Sequence, residues 1–245
     1  MYYSDRREKI LAYIKEHQKC SVHSLSKELF VSEPTIRRDL TELEREGKIK
    51  RTYGGAVYGE VLNCEIPFDL RKTQNTHAKQ TTAEKAAALL HDGQTVFLDA
   101  SSTVSHLIPY LSAFRNITVL TNGPKASLML AEKNIQTICT GGLLLNQSLA
   151  FVGAQAIDAI RCYNMDIAFF SARGITEDGF LTDSSLEETM FRKAMLRQAD
   201  VKVCLCTADK VGTRYACNLC SLTEIDTIVS DGTLPPLFQT MCRVL

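Results

Sequence analysis

The chain contains no tryptophan, carries no net formal charge and has no long run of apolar residues. A membrane-spanning helix needs roughly 18 consecutive apolar residues, so none is predicted. The first residues, Met1 to Arg7, lead into a charged segment, which is not the pattern of a secretory signal peptide. We therefore expect a cytoplasmic protein whose nine cysteines remain free thiols rather than disulfides.

Two nucleotide-binding motifs are also missing, because the sequence has neither a G-x-G-x-x-G loop nor a P-loop. This absence disfavours a nucleotide-binding switch. Hydrophobic residues make up 45% and charged residues 23% of the 245 positions, as in ordinary globular proteins. This composition excludes disorder, a collagen-like fibre and a coiled coil as descriptions of the whole chain.

The net charge of the whole chain is zero, but the charges are unevenly distributed along it. Residues 1–57 hold 12 basic and 9 acidic side chains, whereas the remainder holds 16 basic and 19 acidic ones. The first segment therefore has a net charge of +3 and the second has −3. This asymmetry suggests a basic module attached to an acidic one, although chance variation also produces such differences.

The basic segment has the pattern of a winged helix-turn-helix domain over residues 1–57. Apolar spacing predicts helices over 4–17 and 22–30, and Ser32 can cap a third helix with Pro34 in its first turn. This third helix is predicted to end at Gly47. Two short strands, over 48–53 and 56–58, are predicted to form the wing.

The third helix has an apolar face and a basic face. Ile36, Leu40 and Leu43 form the predicted buried stripe, so Arg38 and Arg45 point away from the core. Arginine side chains can reach guanine edges or phosphates in the major groove of DNA. A solvated charged face is the alternative. The residues that we expect to contact DNA are Ser32, Thr35, Arg37, Arg38, Arg45, Arg51 and Tyr53.

A specific resemblance supports DNA binding. The stretch Val31-Ser-Glu-Pro-Thr-Ile-Arg-Arg-Asp-Leu-Thr-Glu-Leu-Glu-Arg-Glu-Gly, followed by Ile49-Lys-Arg-Thr-Tyr-Gly-Gly-Ala, resembles the DNA-binding signature of the DeoR family of bacterial transcriptional regulators. The likeness covers nearly all of residues 5–57. Tyr53 stands where the family often has histidine, which could alter a contact between the wing and DNA.

The rest of the chain predicts a linker and an α/β domain. Residues 58–75 are expected to be a linker, because the part from Glu60 to Asn75 mixes polar residues with Pro67 and lacks a long periodic pattern. Residues 76–245 alternate short apolar strands with helices. This alternation predicts a mainly parallel sheet that is covered on both faces.

Polar and glycine-rich segments follow the strands of this predicted sheet. Ligands bind at the carboxyl ends of parallel strands, and a helix amino terminus there can hold a phosphate. Helix capping and ordinary turns are the alternatives for these segments. The candidate effector-binding residues are Asp99, Ser101, Ser102, Thr103, Thr121, Asn122, Gly141, Gly142, Asp183 and Lys210. Asp99 could accept a hydrogen bond from a sugar hydroxyl, and Lys210 could neutralise a phosphate.

The second domain also resembles that of the DeoR family, over about residues 65–232. The similar segments are Phe97-Leu-Asp-Ala-Ser-Ser-Thr, Val119-Leu-Thr-Asn-Gly, Gly141-Gly142, Ser148-Leu-Ala-Phe-Val-Gly and Ser171-Ala-Arg-Gly-Ile-Thr-Glu-Asp-Gly-Phe-Leu-Thr-Asp. The resemblance implies a fold similar to sugar-phosphate isomerases and a phosphorylated-sugar effector. Ser101 replaces a usual glycine, and Thr207 replaces an aspartate that commonly precedes the lysine motif.

Four cysteines cluster near the carboxyl terminus: Cys204, Cys206, Cys217 and Cys220. They could bind zinc tetrahedrally. However, Cys204 and Cys206 lie in an apolar strand, where cysteine packs as a small hydrophobic residue. We therefore expect no metal and no cofactor.

Two classes of function remain open. The favoured one is a regulator, most often a repressor in this family, that binds double-stranded operator DNA of sugar-metabolism genes and responds to a phosphorylated sugar. Helix-turn-helix proteins usually read paired half-sites, so a homo-oligomer, either a dimer or a tetramer, is expected. The alternative is a sugar-phosphate isomerase with an accessory DNA-binding module. Its general base would be a carboxylate such as Asp99, Asp183 or Glu187, and no spacing singles one out.

Overall fold

The computed structural model describes residues 3–17, 19–46, 48–52, 54–57 and 68–245. The chain divides into two compact units, Met1–Pro67 and Phe68–Leu245. This division falls inside the segment 58–75, for which we predict a linker. Positions 58–67 lie outside the described residues, whereas Phe68–Thr73 form a helix. Its six residues are too few to show a helical period in the sequence.

The described residues of the first unit form three helices and three short strands: α1 (Tyr3–His17), β1 (Lys19–Ser21), α2 (Val22–Leu29), α3 (Glu33–Arg45), β2 (Lys50–Thr52) and β3 (Gly55–Val57). The strands form one antiparallel sheet in the order β1-β3-β2. The predicted winged helix-turn-helix is thus confirmed. Strand β1 was not predicted, because its three residues become a strand only by pairing with β3. Gly47, the predicted end of the third helix, lies outside the described residues.

The second unit contains five α-helices: α4 (Phe68–Thr73), α5 (Thr76–Ala87), α6 (Pro124–Ala131), α7 (Ala154–Arg161) and α8 (Leu186–Leu196). It also contains four 3₁₀ helices: Val104–Ala113, Ala208–Lys210, Leu222–Glu224 and Pro236–Thr240. Its strands are β4 (Thr95–Leu98), β5 (Thr118–Thr121), β6 (Gln136–Cys139), β7 (Leu143–Leu145), β8 (Ala150–Val152), β9 (Met165–Phe170), β10 (Gly174–Ile175), β11 (Phe180–Asp183), β12 (Ala199–Leu205), β13 (Cys217–Ser221), β14 (Thr227–Val229) and β15 (Arg243–Val244).

Seven strands form a wholly parallel sheet in the order β15-β14-β12-β9-β4-β5-β6. Side chains alternate between its two faces. Phe97 and Phe170 belong to one buried cluster, while the adjacent Val96 and Phe169 belong to another. The sheet is therefore covered on both faces, and the predicted parallel α/β architecture is confirmed.

Three features of this unit go beyond the sequence prediction. The sequence pattern predicts a helix over 103–114, and the structure shows that it is a 3₁₀ helix, Val104–Ala113, in which Pro109 lacks the N–H that an α-helix would use. Strands β10, β11 and β13 form a separate antiparallel sheet, and β7 pairs with β8. These small sheets were not predicted, because their strands are short. Within the described ranges, no helix is long and apolar enough to cross a membrane.

Candidate functional site

The outer face of α3 is supported by a buried inner face. Ile36, Leu40 and Leu43 are buried, as the predicted apolar stripe requires. Asp39 is buried as well, and its carboxylate accepts hydrogen bonds of 2.5 and 3.0 Å from Arg6 of α1. The sequence pattern does not reveal this ion pair, because its partners come from different helices. The pair ties α3 to α1 and so helps to orient the opposite face of α3.

Three arginines lie on the exposed side of α3. Arg37 pairs with Glu33 at 3.3 Å, and Arg45 pairs with Glu42 at 3.0 Å. Arg38 is exposed, and no ion pair of its guanidinium is found in the part of the chain that the structure describes. Exposed ion pairs are weak, so these side chains can exchange their partners for phosphates or base edges.

The other residues expected to contact DNA surround this face. Ser32 occupies the N-cap position of α3, but its hydroxyl lies 2.9 Å from the Thr35 hydroxyl and does not bond to a helix amide. The capping bond expected from the sequence is therefore absent between these described residues. Arg51, on β2, donates a 3.0 Å hydrogen bond to the hydroxyl of Thr41. Tyr53 lies outside the described residues.

Asp99 lies at the carboxyl end of β4, where the sequence predicts the effector site. It is buried, and its carboxylate accepts hydrogen bonds from the backbone N–H groups of Ser101 and Ser171, at 2.9 and 3.2 Å. It also accepts a 3.0 Å bond from Nε of Arg192. Asp99 therefore holds together the loops that follow β4 and β9.

Arg192 of α8 is surrounded by three carboxylates. Its guanidinium donates to Asp99, to Asp183 at the end of β11 and to Glu188 one helical turn earlier. Burial alone would lower the pKa of Arg192, but Asp183, Glu188 and Asp99 raise it above its ordinary value. Arg192 is not among the site residues predicted from the sequence. The spacing of Glu188 and Arg192, four residues apart on one helix, was the available signal.

The loop after β4 contains the predicted phosphate-binding hydroxyls. Ser101, Ser102 and Thr103 are all buried. The Ser101 hydroxyl accepts a 3.2 Å bond from the N–H of Val104 and so caps the 3₁₀ helix. The Ser102 hydroxyl accepts a 3.3 Å bond from Nζ of Lys79 on α5. Capping thus occupies Ser101, whereas Ser102 is linked to a lysine.

Two lysine ammonium groups lie at this edge of the sheet. Lys79 is buried and also donates to the carbonyl of Arg71. Lys210 donates to the Ser171 hydroxyl at 2.8 Å and to the carbonyl of Ala172 at 2.9 Å. Burial, together with the charges of Lys210 and Arg71, lowers the pKa of Lys79 to about 8.

Neither ammonium group forms an ion pair with a carboxylate of the described residues. Lys210 is predicted from the sequence but Lys79 is not, because the sequence does not distinguish a buried lysine within a helix from a solvent-exposed one.

The ends of β5 and β6 complete the edge. Asn122 accepts a 3.0 Å bond from the N–H of Ala100 and donates one of 3.0 Å to the carbonyl of Phe151. Thr121 is buried and accepts from the N–H of Gly123. These residues hold neighbouring loops in place.

Gly141 and Gly142 follow β6, with φ angles of +64° and +113°. A Cβ atom on Gly142 would lie 2.7 Å from the carbonyl oxygen of Val152, so a side chain cannot fit there without a shift. Nine of the ten predicted effector-site residues thus end or follow strands of the parallel sheet at its carboxyl edge. The tenth, Asp183, ends β11 of the antiparallel sheet and is linked to Asp99 through Arg192.

The four clustered cysteines differ in burial. Cys204, Cys206 and Cys220 are buried. Burial raises the pKa of Cys206 to about 11 and that of Cys220 to about 12. Among the described residues, no group of three or more histidine, cysteine or acidic side chains has a metal-binding arrangement.

Each of the two units matches a known protein-family domain. Residues 6–60 match the DeoR-like helix-turn-helix domain, and residues 74–232 match the DeoR C terminal sensor domain. The protein is a member of the DeoR family. The resemblance seen in the sequence motifs is therefore confirmed, and the chain combines a DNA-binding domain with a sensor domain.

Relatives of this DeoR-family protein match over nearly the whole chain. The HTH-type transcriptional regulator YulB of Bacillus subtilis is 33% identical, over 96% of this chain and 92% of the relative. The HTH-type transcriptional repressor GlcR of the same organism is 32% identical, over 100% and 93%. The L-fucose operon activator of Haemophilus influenzae is 32% identical, over 97% and 96%. Both repressors and activators therefore share this architecture.

Solved structures with a similar fold are distant in sequence. The eIF2B delta subunit from Chaetomium thermophilum matches with a TM-score of 0.50 and 16% identity, over 68% of this chain and 60% of that chain. A ribose 5-phosphate isomerase A from Methanocaldococcus jannaschii matches with a TM-score of 0.43 and 19% identity, over 56% of this chain and 55% of that chain. The first likeness concerns the fold alone, and the second supports no conclusion about function.

Proposed function

We propose that this DeoR-family protein represses sugar-metabolism genes in the cytoplasm by binding operator DNA, and that a phosphorylated sugar bound to its second unit controls the binding. The observation that carries the effector proposal is the pair of lysines at the carboxyl edge of the sheet. Lys79 and Lys210 bring two ammonium groups to hydroxyls of the same edge, and no carboxylate of the described residues pairs with them.

A phosphate dianion suits this arrangement electrostatically. Two nearby cations repel each other, and the lowered pKa of Lys79 reflects both its burial and the charge of Lys210. A phosphate ester would supply the missing negative charge and accept hydrogen bonds from ammonium and hydroxyl groups. The Ser102 and Ser171 hydroxyls, already bonded to these lysines, would contact the same group. An unphosphorylated sugar would lack this contribution.

The DNA-binding part of the proposal rests on α3. Its buried stripe and the Arg6–Asp39 ion pair leave Arg37, Arg38 and Arg45 on the exposed side. We propose that this face enters the major groove and that Arg51 and Tyr53 of the wing contact the adjacent backbone. Because palindromic operators contain two half-sites, we further propose that the protein binds as a homo-oligomer, either a dimer or a tetramer.

The isomerase alternative lacks a suitable base. A general base must be able to accept a proton from the substrate carbon. Asp99 and Asp183 are instead buried, and their carboxylate oxygens are bonded to the guanidinium of Arg192. Glu187 is exposed and accepts from the Ser185 hydroxyl. We therefore propose that the second unit binds a sugar phosphate without converting it.

Operator binding in the presence of effectors tests the proposal. An operator fragment is selected from genomic DNA and titrated with full-length protein, alone and with a panel of pentose and hexose phosphates and their free sugars. At least one phosphorylated sugar should change the DNA affinity by about 5–150-fold, the usual range of allosteric coupling, and its free sugar should not. A Lys79→Met, Lys210→Met variant should lose this response, whereas Lys133→Met, at an exposed position of the same unit, should keep it.

Three further outcomes bear on the alternatives. If no phosphorylated sugar acts more strongly than its free counterpart, the effector proposal is wrong even when the DNA is bound. Turnover of any phosphate in the panel would favour the isomerase. A reporter gene behind the selected operator separates repression from activation.

A further inference from the structure

A groove of about 750 Å³ lies at the opposite edge of the parallel sheet from the lysine pair. It is lined by the last turn of α8, the start of β11, strand β13, Lys202 of β12 and the segment that leads into β14. The amino-terminal parts of the parallel strands β12 and β14 lie here, whereas Lys79 and Lys210 lie at the carboxyl edge. The groove is thus separate from the proposed effector site, and its volume falls within the range of small-molecule sites.

Three cationic side chains line the groove: Lys193, Arg197 and Lys202. Lys193 and Arg197 are four residues apart at the end of α8, and both are exposed. In the part of the chain that the structure describes, none of the three side chains forms an ion pair. The negative end of a helix is equivalent to roughly half a charge, which is too little to balance three cations.

Two carboxylates line the groove as well, but they come from a different segment. Glu224 accepts a 2.8 Å bond from the N–H of Ser221, and Asp226 accepts one of 2.7 Å from the N–H of Lys202. Each carboxylate can still accept a bond from a ligand hydroxyl or amino group. The three cationic side chains and the two carboxylates therefore lie on different segments and form no ion pairs with each other among the described residues.

An aromatic ring and an apolar floor complete the groove. Phe180, at the start of β11, is 43% exposed, so its ring is accessible from the groove. Leu219 and Ile225, which also line the groove, are buried. A planar ring of a ligand can therefore stack on Phe180 while its charged part reaches the cations.

We propose that this groove binds a nucleotide. Its phosphates contact Lys193, Arg197 and Lys202, its base stacks on Phe180, and its ribose hydroxyls donate to Glu224 or Asp226. A simple phosphate would use only the cations, whereas a nucleotide uses all three parts of the groove. Such a site requires neither of the glycine-rich motifs that the sequence lacks, because side chains rather than backbone N–H groups hold the phosphates.

Calorimetric titration of the full-length protein with ATP, adenosine and tripolyphosphate tests the proposal. ATP should bind more tightly than either fragment. A Lys193→Gln, Arg197→Gln variant should weaken ATP binding about tenfold or more, because two charged contacts are lost. Phe180→Ala should weaken binding of ATP but not of tripolyphosphate. Lys133→Gln, an exposed lysine elsewhere in the unit, should leave ATP binding unchanged.

The Lys79→Met, Lys210→Met variant separates this groove from the effector site and should retain ATP binding. If the wild-type protein binds no ATP at millimolar concentration, the proposal is overturned. It is also overturned if tripolyphosphate binds as tightly as ATP and Phe180→Ala has no effect, or if only the Lys79 and Lys210 substitutions abolish ATP binding. Thermal unfolding of each variant, followed by circular dichroism, verifies that it is folded.

Discussion

The Nε atom of Arg192 donates a 3.0 Å hydrogen bond to Oδ2 of Asp99, although the two residues are 93 positions apart. Both side chains are buried, and Asp183 and Glu188 share the same guanidinium. Asp99, for which the sequence predicts a contact with a sugar hydroxyl, thus forms an ion pair with the buried Arg192. Asp99 shapes the candidate site by holding its loops.

Removal of the Asp99 carboxylate should destabilise the second unit. Asp99→Ala leaves Arg192 buried with fewer partners, so the free energy of unfolding should fall by about 2–4 kcal/mol. Urea unfolding followed by circular dichroism measures the change. Glu187→Ala, at an exposed position near the start of α8, should change it by less than about 0.5 kcal/mol. Equal stability of the two variants would contradict a role of Asp99 in this network.

Substitution of Arg38 should weaken operator binding without unfolding the first unit. Arg38→Ala removes an exposed guanidinium and leaves the buried stripe intact, so we expect a loss of about 1–3 kcal/mol in DNA affinity. A mobility-shift titration measures it. Lys9→Ala removes one exposed charge from α1 and serves as the control for general electrostatic attraction. Wild-type affinity in a folded Arg38→Ala protein would mean that this face of α3 does not meet the DNA.

Phosphate binding should weaken at alkaline pH. The pKa of Lys79 is about 8, so Lys79 is mostly charged at pH 7 and mostly neutral at pH 9. Loss of this charge should lower the affinity for a phosphorylated effector several-fold between these pH values. Lys79→Arg stays charged across the range and should remove the Lys79-dependent part of the change. Identical pH profiles for both proteins, measured by calorimetry, would exclude Lys79 from phosphate binding.

The turn between α2 and α3 should become more stable when glycine replaces Phe30. Phe30 is 95% exposed and has a φ angle of +53°, a left-handed conformation that disfavours most side chains. Phe30→Gly should raise the free energy of unfolding by about 1 kcal/mol, because glycine adopts this conformation without strain. Phe30→Ala keeps the strain and should change stability little. Thermal unfolding that ranks alanine above glycine would contradict this account.

The cysteines should behave as free thiols without zinc. Metal analysis of purified protein should find less than one zinc per chain, and all nine thiols should react after unfolding without reductant. In the folded protein, Cys139 and Cys162 are exposed and should react before the buried Cys204 and Cys206. One tightly bound zinc, lost when Cys217 and Cys220 become serine, would instead establish a metal site.

Local sequence patterns predicted the three helices and the wing of the first unit and the parallel sheet of the second. The spacing of Ile36, Leu40 and Leu43 predicts the buried side of α3, and short apolar runs separated by helices predict the parallel sheet. These predictions succeed because helical and strand periodicity depends on neighbouring residues, and because the faces of a parallel sheet must both be buried. The family motifs likewise lie within continuous segments.

Only the tertiary structure decided which side chains meet. Arg6 pairs with Asp39, Arg192 with Asp99, and Lys79 with a hydroxyl at the edge that also holds Lys210. Periodicity predicts that a position is buried or exposed, but not which distant charge it contacts. Such pairing depends on the path of the chain through the fold, so the partners of Asp99 and the role of Lys79 could not be predicted from the sequence.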